Sequence, residues 1–308
     1  MLRRYNSFGS YIKKQFGTRI YKVSVDAGFT CPNRDGTIGT SGCIYCNNDS
    51  FRPNSCTPAL TLKEQIQKGI AYIRNRYKAD KFLVYFQPYT NTYARVDKLE
   101  LLYREALSEP SVAGLAIGTR PDAVDEEKIA LLASLAEKNF ILIEYGMQSM
   151  YSKTLRFIGR GHDYSTFLEA LDMTKNRGIF IGAHVIVGFP TETREEMLSM
   201  ADGLSCLPVD FLKIHHLQVL KNTTLEILHR ENPFHTFGYG EFLEFIIEFV
   251  ERLSSKIVLQ RLFATAPDDI LIAPRWDKSR QEILRDIEKL LEKKDTYQGK
   301  KLKIPASL

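Results

Sequence analysis

Short apolar runs alternate along this chain with longer stretches in which apolar residues recur every three or four positions. The runs at 81–87, 112–118, 140–146, 179–187 and 209–217 read as strands buried on both faces. Between them Ile66, Ile70, Ile73 and Tyr77, then Leu99, Leu102 and Ala106, fall at helical spacing. Asp97 is expected to cap the second of these helices, and helices are also expected over 125–138, 164–176 and from 193. With a short strand at 21–26, the pattern gives six β/α repeats over about residues 20–230. Such alternation predicts parallel strands joined by right-handed crossovers. Closing an eight-fold barrel would take two more units. What remains is a helix carrying Phe242, Phe245, Ile246, Phe249 and Leu253, a short strand at 257–260, and a basic helix at 279–294. The expected fold is therefore α/β: a partial, TIM-like (β/α)6 barrel over 20–230. A C-terminal α/β extension over 231–308 packs on it, and an N-terminal arm over 1–19 precedes it.

Composition changes this picture little. Hydrophobic residues make up 44% and charged residues 26%, as in an ordinary globular protein. No apolar run reaches spanning length, so no membrane is expected as a partner. The net charge of +5 is mild, but its distribution is not even. No acidic residue precedes Asp26, while Arg3, Arg4, Lys13, Lys14, Arg19 and Lys22 interleave with Tyr5, Phe8, Tyr11, Phe16 and Tyr21. Cations among stackable rings suit a nucleic-acid strand. An amphipathic helix packing its rings on the body accounts for them equally well. Five cysteines, an odd number, and no signal peptide point to a reducing cytoplasm rather than a disulfide framework.

Three of those cysteines form the chain's most informative stretch. Cys31, Cys43 and Cys46 are spaced C-x11-C-x2-C in a loop containing Gly36, Gly39 and Gly42, just after the first strand. Clustered thiolates are soft ligands for zinc or for iron–sulfur. A closed zinc site needs four ligands, and Cys56 would supply the fourth. Three thiolates on a four-iron cube would instead leave one iron open to a small molecule. A barrel of six repeats favours the second reading, since a small zinc module has no use for one. Functional groups of parallel barrels gather at the carboxyl ends of strands. There this chain places Gln87 and 89–92, then Arg120, Gln148, Arg160 and 188–192. Arg160 could equally pair with Asp163. His184, His215 and His216 fall in strand patterns and receive no role, and Cys56 and Cys206 read as small packed side chains or hydrogen-atom donors.

The aromatic Tyr45 inside the pair Cys43-Ile-Tyr-Cys46 carries a resemblance. The loop is similar to that of the radical S-adenosylmethionine (SAM) superfamily, which ends in Cys-x-aromatic-Cys. Its eleven residues between the first two cysteines, where most members have three, resemble the branch of the Elongator catalytic subunit and a small bacterial family like it. The resemblance implies a [4Fe-4S] cluster on Cys31, Cys43 and Cys46, whose open iron chelates SAM, and a radical SAM barrel. It further implies SAM contacts from Tyr45, Gln87, Thr90, Asn91, Arg120, Gln148, Arg160 and Gly188. The Gly-Gly-Glu-like motif of the superfamily has no literal match after the second strand, where Thr90 and Asn91 would supply acceptor oxygens instead. Arg160 suits the SAM carboxylate through paired hydrogen bonds. The implied activity is reductive cleavage of SAM to a 5′-deoxyadenosyl radical, with a flavodoxin or ferredoxin as electron donor. The implied substrate is a tRNA nucleoside, a wobble uridine side chain; a small molecule of cofactor metabolism is the alternative, and a non-catalytic, zinc-stabilised RNA-binding module is the reading from a different class. No catalytic residue is assigned.

Overall fold

The computed structural model describes residues 3–47 and 59–302. Its strands in chain order are β1 (Ile20–Val25), β2 (Lys81–Phe86), β3 (Val112–Thr119), β4 (Phe140–Gln148), β5 (Phe180–Val187), β6 (Phe211–His216), β7 (Val219–Leu220), β8 (Val258–Arg261) and β9 (Leu271–Ala273). Its helices are α1 (Phe8–Phe16), α2 (Leu62–Tyr77), α3 (Val96–Leu107), α4 (Glu126–Ala136), α5 (Ser152–Phe157), α6 (Tyr164–Thr174), α7 (Arg194–Ser205), α8 (Thr224–Glu231), α9 (Tyr239–Arg252) and α10 (Arg280–Lys293). The apolar runs became strands because both their faces are covered. One packs under the helices, through residues such as Val84, Leu115, Ile143 and Val185. The other faces the barrel interior. Thr61, Thr193 and Ser279 start α2, α7 and α10 with reciprocal capping boxes to Glu64, Glu196 and Glu282. At α3 the cap is Arg95, two residues earlier than expected; Asp97 lies in the first turn and accepts from Arg95 at 3.2 Å.

Seven strands, not six, form the curled parallel sheet, in the order β1-β2-β3-β4-β5-β6-β8. The strand expected at 257–260 is the seventh, paired parallel with β6 through Phe211↔Val258 and Lys213↔Arg261. The extension thus begins by continuing the barrel: α9 buries Phe242, Phe245, Ile246 and Phe249 and returns the chain beside β6. Residues before α1 close the outer edge. Leu259 N donates to Asn6 O at 2.7 Å, and Ser7 bridges to Leu259. A covered edge offers no template to a foreign strand.

The N-terminal end of the barrel is plugged by α1. Phe140, Phe180 and Phe211, the first residues of β4, β5 and β6, meet its rings edge to face. Phe8 lies 5.7 Å from Phe211, Tyr11 is 5.2 Å from Phe211, and Phe16 is 5.7 Å from Phe140. Ile12 fills the centre, 1% exposed. Tyr5 is buried as well, and Tyr21 stacks on Tyr77 at 5.0 Å. Of the two readings of the arm, the packed amphipathic helix describes its rings; Lys13 and Lys14 remain exposed on its outer face. Among the described residues no helix is long and apolar enough to cross a membrane.

Candidate active site

At the opposite end, the carboxyl ends of the strands surround a cavity of about 210 Å³. The loop after β1 folds over its mouth. Asn33 organises that loop: its Nδ2 donates to Gly159 O at 2.8 Å and faces Cys43 Sγ at 3.4 Å, while its carbonyl receives Gly42 N at 2.7 Å. Gly42 has φ +77°, and a Cβ there would lie 2.9 Å from the Arg34 guanidinium. That guanidinium donates to Cys46 O at 2.8 Å. Cys31, Cys43 and Cys46 are free thiols, and all three line the cavity. Burial pushes the Cys46 thiol up, Cys43 adds to this, and Arg34 opposes it. Such a crowd of thiolates needs cationic company.

The loop after α5 and the strand ends supply that company. Arg160 Nη1 faces Cys43 Sγ at 3.7 Å and its Nη2 donates to Gly146 O at 2.8 Å, so it does not pair with Asp163. Arg120 clasps Asp122 through Nε (2.8 Å) and Nη2 (2.6 Å) and reaches Arg160 O at 2.9 Å. Gln148 sits at a bulge at the end of β4 with φ +66°. Its amide and Arg160 occupy the space above Gly146, where a Cβ would come within 2.6 Å of Gln148 Nε2. Gln87 accepts from Ser24 Oγ at 3.1 Å. Tyr45, Gln87, Thr90, Arg120, Gln148 and Arg160 line the cavity together with the thiols.

Asn91 and Gly188 stand outside that lining. Asn91 Nδ2 instead ties Pro88 O (3.0 Å) to Gly118 O (2.8 Å), a brace between the β2 and β3 ends. Gly188, at φ +98°, donates to Met197 Sδ beneath the turn into α7. Cys206 is exposed at the end of α7, away from the cavity, and Cys56 lies outside the described residues.

The wall below the mouth holds Lys22, which the sequence grouped with the basic arm but which turns inward to Glu144, and further residues to which the sequence reading gave no role. Glu144 of β4, its side chain fully buried, receives Lys22 Nζ at 2.8 Å, Lys213 Nζ at 2.5 Å and His184 Nε2 at 3.1 Å. Lys213 also donates to Tyr85 Oη at 2.8 Å, and Arg261 Nη1 lies 3.4 Å from His215 Nε2. Burial raises the Glu144 pKa, but Lys213 and Lys22 outweigh it and hold the carboxyl well below its usual range. Each residue was visible as a polar side chain at an inward position of an apolar strand. Only the register (His184↔Lys213, Lys213↔Arg261) brings them to one level.

Comparison with known proteins accords with this arrangement. Residues 31–204 match the model of the Radical SAM superfamily, and residues 209–293 match the Radical_SAM C-terminal domain. This chain belongs to the radical SAM superfamily. It is 38% identical to the uncharacterized protein MJ0486 of Methanocaldococcus jannaschii, over 95% of this chain and 90% of that one. It is 31% identical to the protein YhcC of Escherichia coli K12, over 93% and 92%. The tRNA uridine(34) acetyltransferase of Methanocaldococcus infernus is 26% identical over 47% of this chain and 27% of that protein. In fold, the chain is similar to an archaeal Elp3 from Methanocaldococcus infernus with an N-terminal deletion. The TM-score is 0.68 at 18% identity, covering 91% of this radical SAM chain and 64% of that one.

The superfamily uses a [4Fe-4S] cluster and SAM, and the residues here fit both. Among the described residues no three His, Cys, Asp or Glu side chains converge on a point suited to a single metal ion. A cube asks for no such convergence, because its irons occupy separate corners. Three cysteines on one loop leave the fourth corner to a ligand. Arg120 Nη1, Arg160 Nε and Thr90 Oγ1 are buried without a partner, in residues that line the cavity beside the thiols. Unpaired buried donors are costly unless a ligand meets them.

Proposed function

We propose that this radical SAM enzyme modifies a tRNA nucleoside, with the side chain of a wobble uridine as the group attacked. When bound, the cluster and SAM together supply a 5′-deoxyadenosyl radical on one-electron reduction. Cys31, Cys43 and Cys46 would ligate the cluster, and Arg160 and Arg120 would orient the charged end of SAM through the groups they have left over, Arg160 Nε and Arg120 Nη1. Tyr45 and Gln148 would border the nucleoside. The observation that carries this reading is the thiol loop folded over the mouth of a barrel whose cavity continues below it. That enclosure lets the protein hold a substrate against the reactive carbon and keep water out. The tRNA part is supported by the barrel shared with the tRNA uridine(34) acetyltransferases, of whose length this chain matches about a quarter.

Anaerobically reconstituted protein is expected to turn brown and, with dithionite and SAM, to release 5′-deoxyadenosine. Changing any one of Cys31, Cys43 or Cys46 to Ala should abolish both signals while leaving the thermal melt in place; turnover surviving in any single variant refutes the ligand set. Nucleoside mass spectrometry of tRNA from a deletion strain tests the substrate. An unchanged nucleoside profile favours the second reading, a small molecule held whole in the barrel, for which the cationic wall below the mouth speaks.

A further inference from the structure

The polar level halfway down the barrel carries more positive charge than it neutralises. Lys22 on β1 and Lys213 on β6 pair with Glu144, the one carboxylate on the surrounding strands; Arg261 on β8 lies at the same level without an ion pair to it, and Tyr85, His184 and His215 complete the ring. Both oxygens of Glu144 are taken, Oε1 by Lys22 and Oε2 by Lys213 and His184. Arg261 is left over. Among the described residues no carboxylate lies within ion-pair distance of it, and the neighbour it has is His215 Nε2. Burial depresses its pKa and nearby Arg280 adds to this, while Tyr85 and Glu144 oppose it. A half-buried guanidinium whose nearest carboxylate is already shared by two lysines and lies beyond ion-pair distance is poorly compensated, and that cost is tolerated where a ligand supplies the charge. Its two-pronged geometry matches a carboxylate or a phosphate. The residue next to it in register, Lys213, lines the same cavity and points its amine inward; burial pushes its pKa well below the usual lysine value, and Glu144 opposes this.

We propose that this level is an oxyanion-binding floor: the group that the substrate sends deepest into the barrel carries a carboxylate or phosphate, received by Arg261 with Lys213 and His215 beside it. The proposal rests on the reading that the substrate enters this cavity, and it holds for a nucleoside bearing an acidic substituent as for a small acid. It also gives Glu144 a task. By pairing with Lys22 and Lys213 the carboxylate keeps the floor's excess charge within what a single anion satisfies. Against an anionic substrate, Glu144 also orients the Lys213 ammonium, which it shares with Tyr85.

The test is titration calorimetry on the reconstituted, SAM-bound holoenzyme with three probes: glutarate, inorganic phosphate and the neutral isostere glutaramide. At least one anion should bind saturably and at least tenfold more tightly than glutaramide, and the stronger of the two identifies the oxyanion. Arg261→Gln should weaken that anion by tenfold or more; Arg261→Lys should recover part of the loss. Lys14→Gln, on the outer face of α1, should leave it unchanged. Equal binding of anion and amide by the wild type, or undiminished anion binding in a folded Arg261→Gln protein, overturns the proposal. If Arg261→Gln does not fold, the wild-type comparison alone decides. Failure of the radical SAM reading is separate: it shows as absent 5′-deoxyadenosine, and failure of the tRNA reading as an unchanged nucleoside profile.

Discussion

His184 lies in the barrel beside His215, His216 packs against Phe242 and Trp276, and both are held neutral by burial. Burial takes His184 down to about 4, with Lys213 adding to the effect and the Glu144 hydrogen bond opposing it. Burial takes His216, stacked 4.1 Å from Trp276, to about 3. Unfolded, each titrates near 6.5. A depressed folded-state pKa contributes stability that is complete above the unfolded value and is lost as pH falls toward the folded one. Stability should therefore decline from about pH 6.5 to about pH 4, by about 1.4 kcal/mol per pH unit for each histidine. Urea titrations of the apo-protein at a series of pH values check this. His216→Phe, which keeps the stacking on Trp276 and Phe242, should remove one histidine's share of a slope to which His162 and His215, also lowered by burial, contribute; a flat profile down to pH 4.5 would refute the account. At this scale the thiol loop was legible because Cys31, Cys43, Tyr45 and Cys46 are close in sequence. Arg120 and Gln148 were legible because each closes a strand, and Arg160 because it stands in a polar Gly-Arg-Gly-His loop. The floor was not. Lys22, Glu144, His184, Lys213 and Arg261 sit on five strands, and each alone is one polar residue in an apolar run.

Among elements, α1 shows where a compositional signal divides into two jobs. Its rings and Ile12 complete an apolar plug with Leu83, Phe140, Leu142, Phe211 and Val258, while its lysines stay in water. The sequence contains both patterns without saying which face wins. Packing decides, because the strand starts at Phe140, Phe180 and Phe211 leave an open apolar end that only rings of this size cover. Ile12→Ala should cost about 2–5 kcal/mol, as for other buried aliphatic truncations. Lys13→Gln with Lys14→Gln should change stability by no more than about 0.5 kcal/mol. Denaturant midpoints for the two proteins separate a plug from a loosely attached arm, for which both changes would be silent. The long strands and helices were readable from periodicity. The short α5, at Ser152–Phe157, and the two-stranded pair of β7 and β9 were not, being too brief to show a period.

For the whole molecule, the place of β8 decides what counts as the barrel. Reading six repeats and then a cap follows from the strand lengths, since 257–260 is short and preceded by a helix like any other. Its pairing with β6 is a tertiary fact, set by α9 lying against α7 and by Asn6 receiving Leu259 from the other side. Residues 231–308 are then wall as much as extension. A fragment ending at residue 230 would expose the β6 edge at Phe211 and Leu212, leave α7 without α9, and release the N-terminal segment from Leu259 and Gln298. Burial lost on that scale exceeds the margin by which domains of this size are stable. The fragment is expected to lose its near-ultraviolet circular dichroism and unfold without a sharp transition. A cooperative melt within a few degrees of the full chain would show instead that six β/α units fold alone. In that case Arg261 would be an addition to a finished barrel, and the oxyanion floor would have to form from Lys213 and His215 without it.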